Sequence, residues 1–484
     1  MKKKEKVRRY MNRKERITRD GVKNIIRWTE AFVEVFILSL IYYFFWRKFY
    51  GGDDMFTRYG KYVLAGVYAI LAFVLFNNFE SLRFGYLRLT DVVVSQYIAI
   101  VLLNFITYWQ LCLIDNHVIN PLPMLELTVI DFVIAIALPY VYSVIYHRIY
   151  GPHDMIMVFG SDNAVSLKFK MDTRSDKYRI SRLISVDKGF DRICQEIVKY
   201  DAVVINDVPA EIRNDILKFC YQNHIRTYVT PKLSDIIVMG AQDICLFDTP
   251  LLLVKGKGLT LSQRIVKRLM DVVLCTIAVI LLSPVFLIVA IAIKIEDGGP
   301  VFYKQTRVTR DGKEFDILKF RSMIVNAEKD GKSQPATDND PRITKVGKLI
   351  RATRIDELPQ ILNILTGDMS IVGPRPERVE HVEKFSREIP EFDYRLKVKG
   401  GLTGYAQIYG KYNTSAYDKL RLDLMYIENY SLLLDIKLIL LTLRVMLKKD
   451  STEGFDKAEE LERLKQEALA RMDEEDREKI GAGK

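Results

Sequence analysis

Four apolar stretches in the first third of this chain constrain its fold more than any other feature. They cover residues 28–46, 62–79, 92–114 and 125–145. Each is near the length of about 20 residues that a helix needs to cross a bilayer. Four such runs joined by short polar loops are hard to house in the core of one soluble domain. The sequence therefore predicts four transmembrane helices within residues 28–146.

The charge before these stretches predicts their orientation. Residues 1–27 hold twelve Lys and Arg against three acids. Positive charge is retained on the cytoplasmic side, and an even number of spans returns the chain to that side. The basic first loop, with Arg47, Lys48, Arg58 and Lys61, fits less well, but the denser N-terminal cluster should outweigh it. We therefore expect a cytoplasmic N-terminus, and residues after 146 on the cytoplasmic face.

The composition excludes several classes of protein. The chain is 49% hydrophobic and 27% charged with a net charge of +11, which segregation into membrane and polar segments explains. Basic residues beside a cytoplasmic leaflet favour anionic lipid and phosphate as partners, rather than nucleic acid. The five cysteines and five histidines are scattered without metal-binding spacing, which argues against a zinc site or a disulfide framework and predicts reduced core cysteines.

Residues 147–250 are predicted to form an α/β module that is Rossmann-like but degenerate. Apolar runs at 155–159, 178–186, 202–206 and 225–230 are typical of strands, and 190–200 and 211–224 of helices, which together indicate a parallel sheet. The loop after the first strand keeps Gly160 but lacks the other glycines of a dinucleotide site. Asp187 stands where a ribose-binding acid could lie. Dinucleotide binding therefore stays open beside a structural, regulatory or oligomer-forming role.

Two adjacent acids mark the strongest candidate for a catalytic site. Asp356 and Glu357 follow Arg351 and Arg354 and precede the rigid turn at 373–376. A carboxylate beside groups that neutralise phosphate charge is suited to phosphate chemistry. On a helix, adjacent side chains point about 100° apart, so one acid can face a phosphorus atom while the other reaches a metal. Spacing alone does not choose between Arg351 and Arg354 as a phosphate ligand.

Three ordered blocks carry a family resemblance. They read KFRSM at 319–323, RIDELPQILNILTGDMSIVGPRPE at 354–377 and GGLTGYAQIYG at 400–410. Over roughly residues 262–450 the chain resembles the bacterial polyprenyl-phosphate sugar-1-phosphate transferases. The N-terminal spans and α/β module look like the large members of that family. The resemblance implies a bacterial inner-membrane protein with a mainly helical catalytic domain.

The resemblance also implies substrates. The family's donors are usually UDP-sugars, and its acceptor is undecaprenyl phosphate. Asp356 is the candidate nucleophile, forming a covalent sugar-phosphate and releasing UMP. Glu357 is the candidate Mg²⁺ ligand, and the two acids could exchange roles. By resemblance Arg351 holds phosphate and Arg375, between Pro374 and Pro376, binds the nucleotide; Lys319 and Arg321 are weaker candidates for phosphate contacts, and Arg354 could equally have a surface role.

A fifth apolar stretch, residues 272–293, precedes this site. It contains Ser283-Pro284 near its midpoint and is flanked by basic residues. Pro284 bends a helix, and Ser283 can bond a freed carbonyl inside the bilayer. A full crossing would place the acid pair outside the cell, where nucleotide-sugars are not supplied. Re-entry into one leaflet is therefore favoured, as in the family, over a kinked fifth span.

Two other functions and several details remain open from sequence. A membrane-bound nucleotide-sugar dehydratase would need an intact dinucleotide loop, and a non-catalytic polysaccharide-assembly scaffold would not need the acid pair. The transferred hexose is not readable, with glucose or galactose as the expectation from architecture, and a homo-oligomer is possible. Residues 432–447 predict a helix at the membrane interface or in the catalytic core. Residues 451–484 predict a charged, solvated tail.

Overall fold

The computed structural model describes residues 2–51, 59–82, 85, 87–161, 163–256, 258–325, 327, 340–410 and 414–446. The predicted tail, 451–484, lies outside these residues. The described chain forms two compact units that divide between Pro231 and Lys232. The second unit therefore begins within the segment that the sequence assigned to the α/β module.

Four long helices begin the first unit: α1 (Lys2–Phe49), α2 (Gly60–Asn78), α3 (Leu89–Asp115) and α4 (Leu122–Ile149). By length and apolar composition, α2, α3 and residues 122–148 of α4 could each cross a membrane, as predicted. The first predicted span lies inside α1, which is not among the candidates; its Glu30 and Glu34 are fully buried.

The helices of this bundle also share polar contacts. Asn104 donates to Asp131 at 2.9 Å, and the Tyr68 hydroxyl donates to Asn104 at 2.9 Å. All three side chains are buried. Hydrogen bonds between buried polar groups fix how α2, α3 and α4 pack, because an apolar surrounding offers no water as an alternative partner.

A four-stranded parallel sheet completes the first unit, in the order β2-β1-β3-β4. Its elements are β1 (His153–Phe159), α5 (Asn163–Asp172), β2 (Tyr178–Ser185), α6 (Phe190–Ile197), β3 (Ala202–Asn206), α7 (Ala210–Gln222) and β4 (Arg226–Val229). Residues Met155–Phe159 of β1 and all of β3 are almost fully buried, as expected for strands covered on both faces. The predicted strands and the parallel sheet are confirmed.

The glycine after β1 has a packing role. A Cβ at Gly160 would lie 2.4 Å from the carbonyl oxygen of Asp207. Only glycine allows this approach between two chain segments. The Asp187 backbone N–H donates to the Ser185 hydroxyl within a short 3₁₀ turn. The close approach to Asp207 therefore accounts for Gly160 by packing alone.

The second unit is built around a 37-residue helix, α9 (Leu261–Asp297). Before it come α8 (Leu233–Met239), β5 (Gln242–Leu246) and β6 (Thr249–Leu253). After it come β7 (Phe302–Val308), β8 (Glu314–Phe320), α10 (Lys345–Ala352), α11 (Gln360–Thr366), β9 (Ser370–Val372), α12 (Val379–Glu388), β10 (Gly401–Thr403), α13 (Tyr405–Tyr409), α14 (Ala416–Glu428) and α15 (Leu432–Met446). β7 and β8 form an antiparallel hairpin, and β9 pairs in parallel with β10.

Helix α9 runs without interruption through Ser283 and Pro284, and by length and apolar composition it could also cross a membrane. Ser283 bonds the carbonyl of Ile280, as a serine beside a proline can do in a helix. Before the proline, Cys275 packs in a cluster with Ile361 and Ile364 of α11. After it, Val289 and Ile293 pack in a cluster with Phe320 and Ile350. Both halves of α9 therefore pack against the same unit.

The remaining sequence expectations concern α15 and the cysteines. Leu438 of α15 packs in the core of the second unit, whereas Leu433 is 73% exposed. The helix thus has both a core face and an exposed apolar face. All five cysteines are free, and four are buried; Cys245, expected in a core, is exposed.

Candidate active site

The acid pair lies in the connection between α10 and α11. After α10 ends, Arg354 adopts a left-handed conformation (φ 58°), and residues Ile355–Glu357 form one 3₁₀ turn. A left-handed conformation costs a non-glycine residue about 1 kcal/mol, and such residues cluster at functional sites. Ile355 and Leu358 pack on the cluster around Phe320, which anchors the turn. In a 3₁₀ turn adjacent side chains point about 120° apart, compared with about 100° in an α-helix, so the two acids still point in different directions.

Glu357 is held between two cations. Its Oε1 lies 2.9 Å from Lys319 Nζ and 3.0 Å from Arg375 Nη2. Burial alone would raise the pKa of Glu357, but Arg375 and Lys319 outweigh it and hold that pKa well below its usual range. Glu357 is therefore ionised at neutral pH.

Asp356 has a different environment. Burial raises its pKa, the charge of Glu357 raises it further, and Lys319, Arg351 and Arg354 partly offset both. Within the described chain its carboxylate makes no hydrogen bond or ion pair, in contrast to Glu357. The pair thus consists of Glu357, whose charge is balanced by two cations that fix it, and Asp356, whose carboxylate has no such partner within the described chain. An unpaired carboxylate beside a fixed charged group is suited to act as a nucleophile.

Lys319 and Arg375 reach this place from separate parts of the unit. Lys319 is near the end of β8, opposite Tyr303 in the hairpin. Arg375 is in the Gly-Pro-Arg-Pro turn that directly follows β9. Burial lowers the pKa of Lys319 and Glu357 raises it, while Glu357 raises the pKa of Arg375.

Glycines set the position of the Gly-Pro-Arg-Pro turn. Gly373 donates to Thr403 O at 2.8 Å, and Gly401 donates to Pro374 O at 2.8 Å. A Cβ at Gly401 would lie 2.1 Å from Gly373 N, and one at Gly404 would lie 2.2 Å from Gly373 O. Real Cβ atoms do not approach backbone atoms so closely. The GGLTG block is therefore the backbone partner of the turn that carries Arg375.

The turn is also held by two arginines. Arg395 Nη2 donates to Arg375 O at 2.8 Å, and Arg307 Nη1 donates to Pro376 O at 3.2 Å. Arg395 is buried and pairs with Asp423 of α14 at 2.8 Å. Burial raises the pKa of Asp423 to about 6, although Arg395 lowers it. An ion pair within the core thus fixes the carbonyl side of the turn.

The predicted site residues divide into three groups. Asp356, Glu357, Lys319 and Arg375 are brought together by the contacts above. Arg351 and Arg354 lie close enough to lower the pKa of Asp356. The carbonyl of Pro374 accepts from the Gly401 backbone N–H, and the carbonyl of Pro376 accepts from Arg307 Nη1. Arg321 is elsewhere: it is buried, and it pairs with Asp297 at the end of α9.

Sequence reasoning missed Arg307, Arg395 and Asp423. Arg307 precedes Val308, whose backbone N–H donates to Glu377 O, so the hairpin places it under the turn. Arg307 and Gln305 are two residues apart on β7, so they lie on the same face of the strand. Two polar residues on one strand face were a signal that this face meets other polar groups. Arg395 and Asp423 are separated by 28 residues, and nothing in the sequence marks them as partners.

The number of carboxylates at this site fits Mg²⁺ that is bound together with a phosphorylated substrate. Among the described residues, no group of three or more His, Cys, Asp or Glu side chains could hold a metal. Mg²⁺ bound to a phosphorylated substrate needs only one or two carboxylates, because phosphate and water oxygens complete its shell. Both cations of Glu357 contact Oε1, which leaves Oε2 outside these ion pairs.

Comparison with known proteins gives the family. Residues 262–449 match the bacterial sugar transferase family. A UDP-glucose:undecaprenyl-phosphate glucose-1-phosphate transferase of Caulobacter vibrioides is 41% identical over 190 residues, which is 38% of this chain and 71% of that protein. The chain belongs to the bacterial polyprenyl-phosphate sugar-1-phosphate transferases.

Longer relatives match in part. A UDP-N-acetylgalactosamine-undecaprenyl-phosphate N-acetylgalactosaminephosphotransferase of Aeromonas hydrophila is 40% identical over 264 residues, 52% of this chain and 60% of that protein. A UDP-glucose:undecaprenyl-phosphate glucose-1-phosphate transferase of Escherichia coli K12 is 45% identical over 208 residues, 42% of this chain and 43% of that protein. The match thus spans about half the length of these two relatives, whose sugars differ.

Proposed function

We propose that this protein transfers a hexose-1-phosphate from a UDP-sugar to undecaprenyl phosphate and releases UMP. The proposal is carried by one observation: Glu357, next to Asp356, contacts both Lys319 and Arg375 within the region that matches the family. Its relatives are named for this type of transfer. The product would be the first lipid-linked sugar of a polysaccharide repeat unit.

The cations of the site suit a diphosphate. Phosphoryl transfer depends on positioning and on neutralising oxyanion charge. Arg375 offers its fork-shaped guanidinium from a turn that Arg395 and Arg307 hold in place. Lys319 adds a second cation on the same carboxylate. Arg351 lowers the pKa of Asp356, and in this proposal it would contact the phosphate that Asp356 attacks.

Asp356 supplies the nucleophile in this proposal. One of its carboxylate oxygens attacks the sugar-proximal phosphorus, forming a phosphorus–oxygen bond. The bond from that phosphorus to the bridging oxygen breaks, and UMP leaves with the bridging oxygen. An oxygen of the lipid phosphate then attacks the same phosphorus and releases the Asp356 carboxylate. The two substrates use the cations in turn, so their charges never repel each other within the site.

Glu357 positions the charged groups around Asp356 in this proposal. Its ion pairs fix Lys319 and Arg375 relative to Asp356, and Asp356 with Glu357 would hold Mg²⁺. When bound, that ion neutralises charge on the diphosphate.

Helix α9 supports insertion into one leaflet. At about 1.5 Å per residue it would be roughly 55 Å long if straight, well beyond the ~30 Å hydrocarbon core. Lys267 pairs with Asp435 at one end, and Glu296 accepts from Lys345 N at 2.7 Å at the other. Ile280, Leu281, Leu287 and Ile288, on both sides of the proline, are exposed. Because both ends of α9 are bonded to the same unit, we favour a shallow, re-entrant insertion of this helix on the cytoplasmic face.

The function is tested by incubating the purified protein with a panel of UDP-hexoses, undecaprenyl phosphate and Mg²⁺. We expect UMP release with one or a few donors. Without lipid, UMP should appear in a burst equal to the enzyme concentration, and intact-protein mass spectrometry should find a hexose-phosphate adduct. Asp356→Asn should abolish both. Turnover without burst or adduct, with intersecting double-reciprocal lines, would favour direct attack by the lipid phosphate.

The topology has its own test. In a variant without native cysteines, single cysteines near Lys267 and Lys304 should both resist a membrane-impermeant thiol reagent in intact cells. A cysteine in the 115–121 loop serves as the labelled control. Labelling near Lys304 but not Lys267 would establish a spanning helix.

A further inference from the structure

Two carboxylates of helix α1 lie in the interior of the helix bundle. Glu30 and Glu34 are fully buried, and they are four residues apart. Residues four apart are neighbours on one face of a helix, one turn from each other. Glu34 Oε2 accepts from Gln96 Nε2 of α3 at 2.9 Å, and Gln96 is also fully buried. The two acids therefore lie on the face of α1 that contacts α3.

Most of the side-chain oxygens in this group have no hydrogen-bond partner. In the described chain this holds for both oxygens of Glu30, for Glu34 Oε1 and for Gln96 Oε1. Asp131, another buried carboxylate of the bundle, differs because it accepts from Asn104 at 2.9 Å. Buried polar atoms in proteins almost always have a partner. The four oxygens on α1 and α3 therefore indicate a ligand that the described side chains do not supply.

The cost of burying charge indicates that this ligand is positive. An ionised carboxylate without a partner is very costly in an apolar interior. Among the described residues, no Lys or Arg pairs with Glu30 or Glu34. Protonation would remove the charge, but it would still leave at least one oxygen of Glu30 without a donor. A bound cation would both neutralise the carboxylates and contact their free oxygens.

We propose that Glu30, Glu34 and Gln96 bind a hard divalent cation, Mg²⁺ or Ca²⁺, between α1 and α3. Two carboxylates balance the charge of such an ion, and both ions take carboxylate and amide oxygens as ligands. Two ligands that are four residues apart on one helix can reach the same ion. Water would complete the shell, because three side chains supply fewer oxygens than either ion needs. In the predicted orientation the site would lie near the cytoplasmic end of both helices.

The test measures ion binding by the full-length protein in detergent without substrates, so its outcome is independent of the proposed transfer. Bound ions are removed with a chelator, and thermal unfolding is followed as Ca²⁺ or Mg²⁺ is added. Native mass spectrometry counts the ions bound. Glu357→Gln is measured in parallel, because an ion could also bind at the acid pair. We expect a rise in unfolding temperature that persists in Glu357→Gln, and the ion that acts at the lower concentration is the preferred one.

The variants Glu30→Gln and Glu34→Gln keep the shape of the side chain and remove one charge each. Loss of a group that supports a metal ligand costs roughly 10–100-fold in affinity, so loss of a ligand itself should weaken binding about 100-fold. Glu126→Gln is the matched control, since Glu126 is exposed on α4 of the same bundle. If an acid variant does not fold, Gln96→Met removes the amide oxygen without a change of charge and should weaken binding about tenfold.

Three results would overturn the proposal. The first is an equal response to the ions in Glu30→Gln and Glu126→Gln. The second is a response that disappears in Glu357→Gln, which would assign the ion to the acid pair. The third is the absence of any response in the wild type, which would show that the two acids of α1 hold protons instead.

Discussion

Replacing Lys319 with Met should lower the activity of the acid pair while the unit around it stays folded. The substitution keeps the length of the side chain but removes the cation that lies 2.9 Å from Glu357 Oε1. Arg375 still contacts the same oxygen at 3.0 Å, so Glu357 keeps one partner and the unit should fold. Removing one group that stabilises transition-state charge costs about 10²–10³-fold in kcat, and we expect a loss of that size.

The same change should alter the pH profile. The pKa of Glu357 is lowered in the folded protein, so its ion pairs contribute stability above the unfolded-state pKa, and this is lost as pH falls through the folded-state pKa. Lys319 lowers the pKa of both Glu357 and Asp356. Without Lys319 both values rise. The acidic limb of the activity profile should therefore move to higher pH.

The assay is UMP release as a function of pH, with thermal unfolding as the check on folding. Lys313→Met is the matched control, because Lys313 directly precedes the strand that carries Lys319 but is 68% exposed and pairs with Asp368. Lys319→Arg should restore part of the rate and the acidic limb. Activity within threefold of wild type and an unmoved acidic limb would refute the assignment of Lys319 to the reacting charge.

Three further changes probe the site. Gly404→Ala would place a methyl group 2.2 Å from Gly373 O, so we expect loss of most activity and a lower unfolding temperature, and a variant unchanged in both would contradict the packing argument. Asp423→Asn removes the acid that lies 2.8 Å from buried Arg395 and leaves Glu377 at 3.9 Å, which should cost about 3 kcal/mol, measured by denaturant unfolding; a cost below 1 kcal/mol would exclude the ion pair as an anchor. Glu357→Gln should raise the Mg²⁺ requirement as well as lower the rate, and an unchanged metal titration would argue against Glu357 as a ligand.

The parallel sheet could be predicted because its signal is local. The strand β3, Ala202–Asn206, was predicted at these residues, and all five of its residues are buried. A strand covered on both faces must be a short apolar run, and turn residues bound it. The long helices α2, α3 and α4 were predictable for a similar reason, since only a long apolar run meets the length requirement of a bilayer.

The acid pair was found, but its local geometry was not. The 3₁₀ turn and the left-handed Arg354 arise from the way Ile355 and Leu358 pack near Phe320 and Ile350, which are tertiary contacts. One of the two cations that hold Glu357, Lys319, also comes from 38 residues earlier in the chain. A basic residue near an acid in sequence is therefore a poor guide to the cation that holds it.

Arg321 shows how a strand end changes the role of a residue. Lys319 and Arg321 are two residues apart, and in a continuing strand they would lie on one face. Strand β8 ends at Phe320, however, and the backbone N–H of Arg321 bonds Val301 O at 2.9 Å. Its side chain then pairs with Asp297 at the end of α9, while Lys319 contacts Glu357. Neighbouring residues of one motif thus join α9 to the strand that supplies a cation to the acid pair. Because that connection is short, the proposed insertion of α9 into one leaflet would couple the depth of the helix to the height of Glu357 above the membrane.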